Sequence, residues 1–183
     1  MVVGHWCDTP IGSFTDVMLE TSRGHRILLA PRADVAAFVE ATYTFDEVRL
    51  EPVHAEVSAA LWRISTPSLT LEAAVGEPTL LGRMLRRLPR RLVTSPSWCR
   101  LVDPVARLVL PGVRTHGVAR QGRREYYGAT DVRAVRAICG SFDTVALGEL
   151  RPVEPPCRFG FSSTPRRPSV TSVVTTVDVL TPS

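Results

Sequence analysis

Apolar and polar residues alternate in short runs through the first part of the chain, a pattern typical of β-strands with one buried face. Two such runs, Phe14–Glu20 and Arg26–Ala30, flank a polar stretch that contains Gly24, and together they predict a β-hairpin. Further strands are predicted over residues 48–57, 61–64 and 68–74. The amino-terminal half is therefore predicted to be rich in short strands.

Amphipathic helices are predicted where the apolar residues recur every three or four positions. The clearest helix follows Pro31 and carries Asp34 in its first turn, and its periodic positions are Val35, Phe38, Val39, Thr42 and Tyr43. A second helix is predicted over Glu77–Leu88 and ends at Pro89. We expect both helices to pack their apolar sides against a sheet.

A third helix is predicted from about Ser97, with Pro104 either kinking it or starting a new turn. Its apolar members are expected to be buried. From Val113 onward, β-branched and aromatic residues dominate, which indicates an antiparallel sheet. The predicted fold class is α+β, with a large, mostly antiparallel sheet that is curved or barrel-like and is covered by two or three helices. We expect a single domain over residues 1–183, with residues 1–13 and 180–183 as peripheral tails.

Composition excludes one class of enzyme chemistry. All 22 basic residues are arginine, so no lysine amine is present to form a Schiff base with a carbonyl substrate or with pyridoxal phosphate. Residues 1–60 carry nine acids and four arginines, whereas residues 61–183 carry nine acids and eighteen arginines. In a single domain these halves are expected to neutralise each other, although a basic binding surface is the alternative.

The cysteines indicate neither a zinc site nor a disulfide framework. Cys7, Cys99, Cys139 and Cys157 lie far apart in the sequence, and no pair of histidines has the i, i+4 spacing of a metal site. We therefore predict no metal and no cofactor, and reduced, buried thiols. The chain has no long apolar run, so we expect a cytoplasmic protein without a membrane partner.

Candidate catalytic and binding residues concentrate in residues 114–128, which are predicted to form a hairpin that turns at Gln121 and Gly122. Pairing Arg120 with Arg123 would place six polar side chains on one face: Arg114, His116, Arg120, Arg123, Glu125 and Tyr127. His116, Glu125 and Tyr127 are the candidate acid–base residues, and Arg114, Arg124 and Tyr126 are the candidate ligand-binding residues. The alternative, which the alternation itself favours, is the solvent face of a half-exposed hairpin.

Two further segments are candidates for binding anions. Five arginines lie between residues 83 and 91, and no acid occurs in residues 78–102, so this segment is a candidate protein or nucleic-acid interface. No aromatic residue interleaves with those arginines, which makes nucleic acid the less favoured partner. The loop over residues 158–169 offers Ser162, Ser163 and Arg166, but a proline-stiffened turn is the favoured explanation.

The segments GRREYYGATD and CRFGFSSTPRRPS, together with the order of strands and helices over residues 14–179, resemble bacterial relatives of the acetoacetate decarboxylase-like fold. This resemblance implies a cavity within a cone-like sheet that suits a small organic acid. The decarboxylases use a Schiff-base lysine, and because this chain has none, the resemblance does not carry that activity over.

Three functions follow as hypotheses, and whether the chain is an enzyme stays open among them. The first is binding of a small anionic or organic-acid ligand in a pocket lined by the sheet. The second is a non-covalent acid–base enzyme that uses His116, Glu125 and Tyr127. The third is an interaction module that uses the Arg83–Arg91 segment. A homo-oligomer is compatible with each of the three.

Overall fold

We describe the fold from a computed structural model, which covers residues 1–109, 113–118, 123–160 and 162–179. It is an α+β protein, as the sequence predicts. The chain divides into two compact units, one formed by residues 1–74 and 137–150 and the other by residues 75–136 and 151–183. The single domain expected from chain length stays a prediction.

The first unit contains a four-stranded sheet of order β1–β2–β3–β4, and the strands are β1 (Val2–Trp6), β2 (Phe14–Glu20), β3 (Arg26–Ala30) and β4 (Glu47–Leu50). The predicted hairpin is confirmed, because β2 and β3 pair antiparallel around a turn in which Gly24 has φ 78°. Helix α1 (Ala33–Glu40) confirms the first predicted helix and connects β3 to the parallel strand β4.

Two expectations for this unit need correction. Residues 1–13 include β1, which pairs with β2 along its whole length, so they are not simply a peripheral tail. The single strand expected over residues 48–57 is two strands that belong to different sheets. Pro52 lies between those strands, and because proline donates no backbone hydrogen bond, it interrupts the pairing there.

A second sheet has seven strands: β5 (His54–Val57), β6 (Leu61–Ser65), β7 (Leu69–Pro78), β8 (His116–Val118), β9 (Arg123–Phe142), β10 (Val145–Ala146) and β11 (Ser169–Val179). Its main order is β10–β9–β7–β6–β5, and β8 and β11 both pair with β9. In the described residues this sheet is open and does not close into a barrel. Strands β7 and β9 each contribute residues to both units.

Three helices lie in the second unit: α2 (Leu80–Leu85), α3 (Arg90–Val93) and α4 (Pro96–Val109). Helix α2 begins later than the predicted Glu77, because β7 continues to Pro78 and the Thr79 hydroxyl caps the helix by accepting from the Gly82 N–H. It ends at Leu85, before the predicted Leu88, and Pro89 precedes a short helix, α3, that was not predicted. Helix α4 continues through Pro104 without interruption.

Aliphatic side chains from both sheets form the core of the first unit. The cluster consists of Val17, Leu19, Ile27, Leu29, Ile64, Leu69 and Leu71. Asp16 lies beside Val17 with only 1% of its surface exposed, and its Oδ1 accepts a hydrogen bond of 2.9 Å from the Trp6 indole N–H. Burial raises the pKa of Asp16 to about 7, although the hydrogen bond from Trp6 opposes this shift.

No described helix has the length and apolarity that a membrane-spanning helix needs. All four cysteines are free thiols, but only Cys99 is buried, and Cys7 and Cys139 are exposed. The expectation that the thiols are buried is therefore wrong for these two. Cys7 lies just after β1, and Cys139 lies near the end of β9.

Candidate functional site

Helix α4 buries a carboxylate and exposes three apolar residues, so the expectation that its apolar members are buried is wrong for these three. Leu101, Val105 and Leu108 are 70%, 60% and 83% exposed, and their i, i+4, i+7 spacing places them on one face. Asp103 is only 2% exposed. Burying a carboxylate is unfavourable unless it is paired, so the inward face of α4 marks a specific polar site.

The Asp103 carboxylate contacts three polar groups. Its Oδ1 accepts from the Thr115 backbone N–H at 2.9 Å and from the Thr115 hydroxyl at 3.3 Å, while Oδ2 lies 2.6 Å from Nε of Arg107 one turn further along α4. Burial raises the pKa of the Asp103 carboxyl, but the Thr115 N–H and the nearby Arg107 and His116 outweigh it, and the net pKa is lowered. Asp103 is therefore held as an anion.

His116 at the start of β8 lies beside this carboxylate. Its Nδ1 is 3.6 Å from Asp103 Oδ1, and this buried nitrogen has no hydrogen-bond partner in the part of the chain that the structure describes. The imidazole stacks on Tyr126, with ring centroids 6.3 Å apart and planes inclined by 12°. The Asp103 carboxylate and the Tyr126 ring therefore both border the imidazole.

Tyr126 is the buried neighbour of His116 on the adjacent strand β9. Its surface is 0% exposed, and its hydroxyl oxygen accepts from Nη2 of Arg100 at 2.9 Å. The Arg100 guanidinium also lies over the Tyr126 ring, 5.3 Å from its centroid. Two contacts to one rigid side chain therefore fix the direction of the guanidinium group.

An open cleft of about 440 Å³ lies beside Asp103 and Tyr126. Its lining consists of Arg100, Arg107, Arg114, His116, Gly117, Val118 and Arg124. Arg114 precedes β8, and its backbone N–H donates to the Ser162 hydroxyl at 2.9 Å. Arg124 lies on β9 opposite Val118. Neither the Arg114 nor the Arg124 side chain forms an ion pair within the described residues.

The cleft is strongly cationic. Four guanidinium groups line it, and Asp103 is the carboxylate that pairs with one of them, which gives these five side chains a net charge of +3. Arginine forks suit the planar or tetrahedral oxygens of carboxylates and phosphates. Chemically, the arrangement is suited to an anion, with an oriented imidazole at its edge.

Known proteins add no further information. Comparison with protein-family models, curated proteins and solved structures found no match. The resemblance to the acetoacetate decarboxylase-like fold stays a prediction. The site is therefore interpreted from its own geometry.

The predicted register of the hairpin over residues 114–128 is wrong by one residue. His116 pairs with Tyr126, Gly117 with Glu125 and Val118 with Arg124, whereas the sequence suggested His116 opposite Tyr127. Because successive side chains of a strand point to opposite faces, this shift moves the site from one face of β9 to the other. Arg120 and the predicted turn at Gln121 and Gly122 lie outside the described part of the chain.

The register also determines which candidate residues lie on the same face of the sheet. Arg114, His116 and Arg124 line one cleft, and the Tyr126 ring stacks against His116. Glu125 and Tyr127 alternate with these residues along β9 and interact with each other, the Tyr127 hydroxyl donating to Glu125 Oε2 at 2.7 Å. The acid–base trio of His116, Glu125 and Tyr127 is therefore not assembled, and Asp103 is the carboxylate beside His116.

Sequence reasoning missed three residues of the site, Arg100, Asp103 and Arg107. They share a signal that was available, because their i, i+3, i+7 spacing places them on one face of a helix. The spacing of Leu101, Val105 and Leu108 is equally regular, and apolar periodicity is the usual indicator of the buried face. Only the packed structure shows that the face with Asp103 is turned toward β8 and β9.

The two other candidate segments lie elsewhere in the second unit. Among the arginines between residues 83 and 91, Arg86 pairs with Asp131 at 2.6 Å. All five are exposed along α2, α3 and the turn between them. In the loop over residues 158–169, Ser162 supports Arg114, and Arg166 pairs with Glu154. The interface and anion-binding hypotheses for these segments stay predictions.

Proposed function

We propose that the cleft beside α4 binds a small anionic ligand. The observation that carries the proposal is the pair of guanidinium groups, Arg114 and Arg124, which line the cleft without a carboxylate partner among the described residues. By contrast, Arg86 and Arg107 of the same unit are paired with Asp131 and Asp103. A cytoplasmic metabolite fits the predicted location of the protein.

The favoured ligand carries more than one negative charge. A net charge of +3 around a cleft of about 440 Å³ is best balanced by a phosphate ester or by an organic acid with two or three carboxylates. Arg100 is already oriented by Tyr126, so it would lose little conformational freedom on binding. Arg114, which precedes β8, and Arg124 on β9 are expected to close on the ligand.

Replacing Arg114 or Arg124 with glutamine should weaken anion binding at least tenfold, because a charge-assisted hydrogen bond contributes on the order of 1.5–3 kcal/mol. The measurement is isothermal titration calorimetry with the best ligand from a thermal-shift panel of citrate, succinate, inorganic phosphate and pyrophosphate. Neither variant should lose stability, since neither side chain forms an ion pair within the described residues.

Arg87→Gln is the matched control, because it removes the same charge from an exposed position outside the cleft. An equal loss of affinity in this control would mean that the anions respond to overall charge and not to the cleft. If none of the panel stabilises the native protein, the anion-binding proposal is wrong.

A second candidate function, proton transfer to or from the bound anion, is favoured by the contact between Asp103 and His116. A buried carboxylate 3.6 Å from Nδ1 favours the tautomer that carries its proton on that nitrogen, which leaves Nε2 as the basic atom. We propose His116 as the proton-transfer group and Asp103 as the residue that positions it. This pair takes the place of the trio expected from the sequence.

His116→Gln should reduce proton exchange at least a hundredfold if His116 acts as a base. The measurement is deuterium incorporation at the carbon next to the carboxylate of any bound organic acid, followed by NMR in D₂O. Asp103→Asn should retain part of the exchange and shift its pH profile. Absence of exchange in the native protein for every acid that binds would overturn the catalytic candidate and leave the binding proposal intact.

A further inference from the structure

Strand β11 is an unusually long free edge. Its eleven residues, Ser169–Val179, pair antiparallel with β9, and no other described strand pairs with β11. Half of the backbone N–H and C=O groups of an edge strand point away from the sheet, so they are available to a further strand. The irregularity in the pairing with β9 comes from an extra residue of β9, Thr130, so β11 itself is regular.

The other edges of this sheet have the features that prevent strand addition. Among the described residues, β5 has four residues and includes Glu56, β8 has three residues, and β10 has two. Strand β11 has no proline and no basic residue, and its one charged residue, Asp178, lies near the carboxyl end. Short length, charge and proline are the usual protections of an edge, and β11 lacks them over Ser169–Val177.

The sequence of β11 is complementary to itself in an antiparallel pairing. With Thr175 on the two-fold axis, Val173 of one copy lies opposite Val177 of the other copy, and the same pair recurs on the other side of the axis. Both valines are partly exposed, at 37% and 40%, and alternation places them on the same face as Thr175. Asp178 then lies opposite Ser172, so no like charges meet.

We propose that β11 pairs with β11 of a second copy of this chain to form a dimer with a continuous sheet. The pairing satisfies the free backbone groups of both strands and forms two Val173–Val177 contacts across the interface. A symmetric contact of this kind closes on itself, which limits the assembly to two copies. The proposal does not depend on the function of the cleft.

The register can be tested with two double variants and one control, each examined by sedimentation velocity over a range of concentrations. Val173→Arg with Val177→Arg places arginine opposite arginine at both contacts and should weaken the dimer at least tenfold. Val173→Glu with Val177→Arg places opposite charges at the same contacts and should restore dimerisation. Val57→Arg is the matched control, because Val57 lies on the edge strand β5 and is 39% exposed.

The expected result is a native dimer that only the double-arginine variant dissociates. A native protein that remains monomeric at every concentration overturns the proposal and leaves the edge available to a strand of another protein. A double-arginine variant that remains dimeric also overturns it. Failure of the glutamate–arginine variant to dimerise would contradict the register centred on Thr175.

Discussion

Replacing Asp16 with asparagine is expected to stabilise the protein by about 4 kcal/mol at pH 8 and to change its stability little at pH 4. Burial raises the pKa of Asp16 to about 7, well above the ordinary value for an aspartate. Between these two pKa values the unfolded chain releases a proton that the folded protein retains. The contribution of Asp16 to stability is therefore fully present below the unfolded pKa, decreases as the pH rises, and is lost above pH 7.

The measurement is urea denaturation of the native protein and of Asp16→Asn at several pH values from 4 to 8. Asparagine keeps an oxygen that can accept the 2.9 Å hydrogen bond from Trp6, but it cannot ionise. Asp8→Asn is the matched control, because it makes the same change at an exposed aspartate and should leave the pH dependence as it is in the native protein. A pH dependence that persists in Asp16→Asn would show that another group is responsible for it.

Replacing Tyr126 with alanine is expected to destabilise the protein by about 3–5 kcal/mol, the usual cost of removing a large aromatic side chain from a core. Tyr126 is fully buried, and the substitution would leave a cavity beneath His116 and Arg100. Both side chains would lose the ring that orients them, so anion binding should weaken as well. Thermal and urea denaturation measure the first effect, and calorimetry measures the second.

Tyr126→Phe separates the ring from the hydroxyl. It keeps the contacts with His116 and Arg100 but removes the 2.9 Å hydrogen bond to the Arg100 guanidinium, so we expect a loss of about 1 kcal/mol. A phenylalanine variant as unstable as the alanine variant would mean that the hydroxyl, and not the ring, supports the site. An alanine variant of native stability would contradict the packing described for this unit.

The local elements of the first unit were largely predictable. Phe14–Glu20 and Arg26–Ala30 form the expected hairpin, and the helix after Pro31 forms as α1. In each case the apolar periodicity and the turn residues agree with the tertiary packing. The strand expected over residues 48–57 failed because its halves pair with different neighbours, which is a long-range choice.

The candidate site was predictable only in part. Arg114 and Arg124 were predicted to bind an anion and His116 to act in acid–base chemistry, and the structure brings these three to one cleft. Asp103, the carboxylate beside His116, comes from α4, and no sequence pattern indicated that these two residues lie close together. Alternate residues of a strand face opposite sides of the sheet. The one-residue difference in register therefore places Tyr126, and not Glu125 and Tyr127, on the same face as His116.

The amino-acid sequence by itself determined the α+β class, most of the strands, and the exclusion of lysine-dependent chemistry, because these depend on local periodicity and on residue types. Tertiary structure decided which side of α4 is buried, how β8 pairs with β9, and that Asp16 and Asp103 lie away from solvent. These outcomes depend on contacts between residues that are distant in the chain, where burial, charge pairing and strand register are settled together.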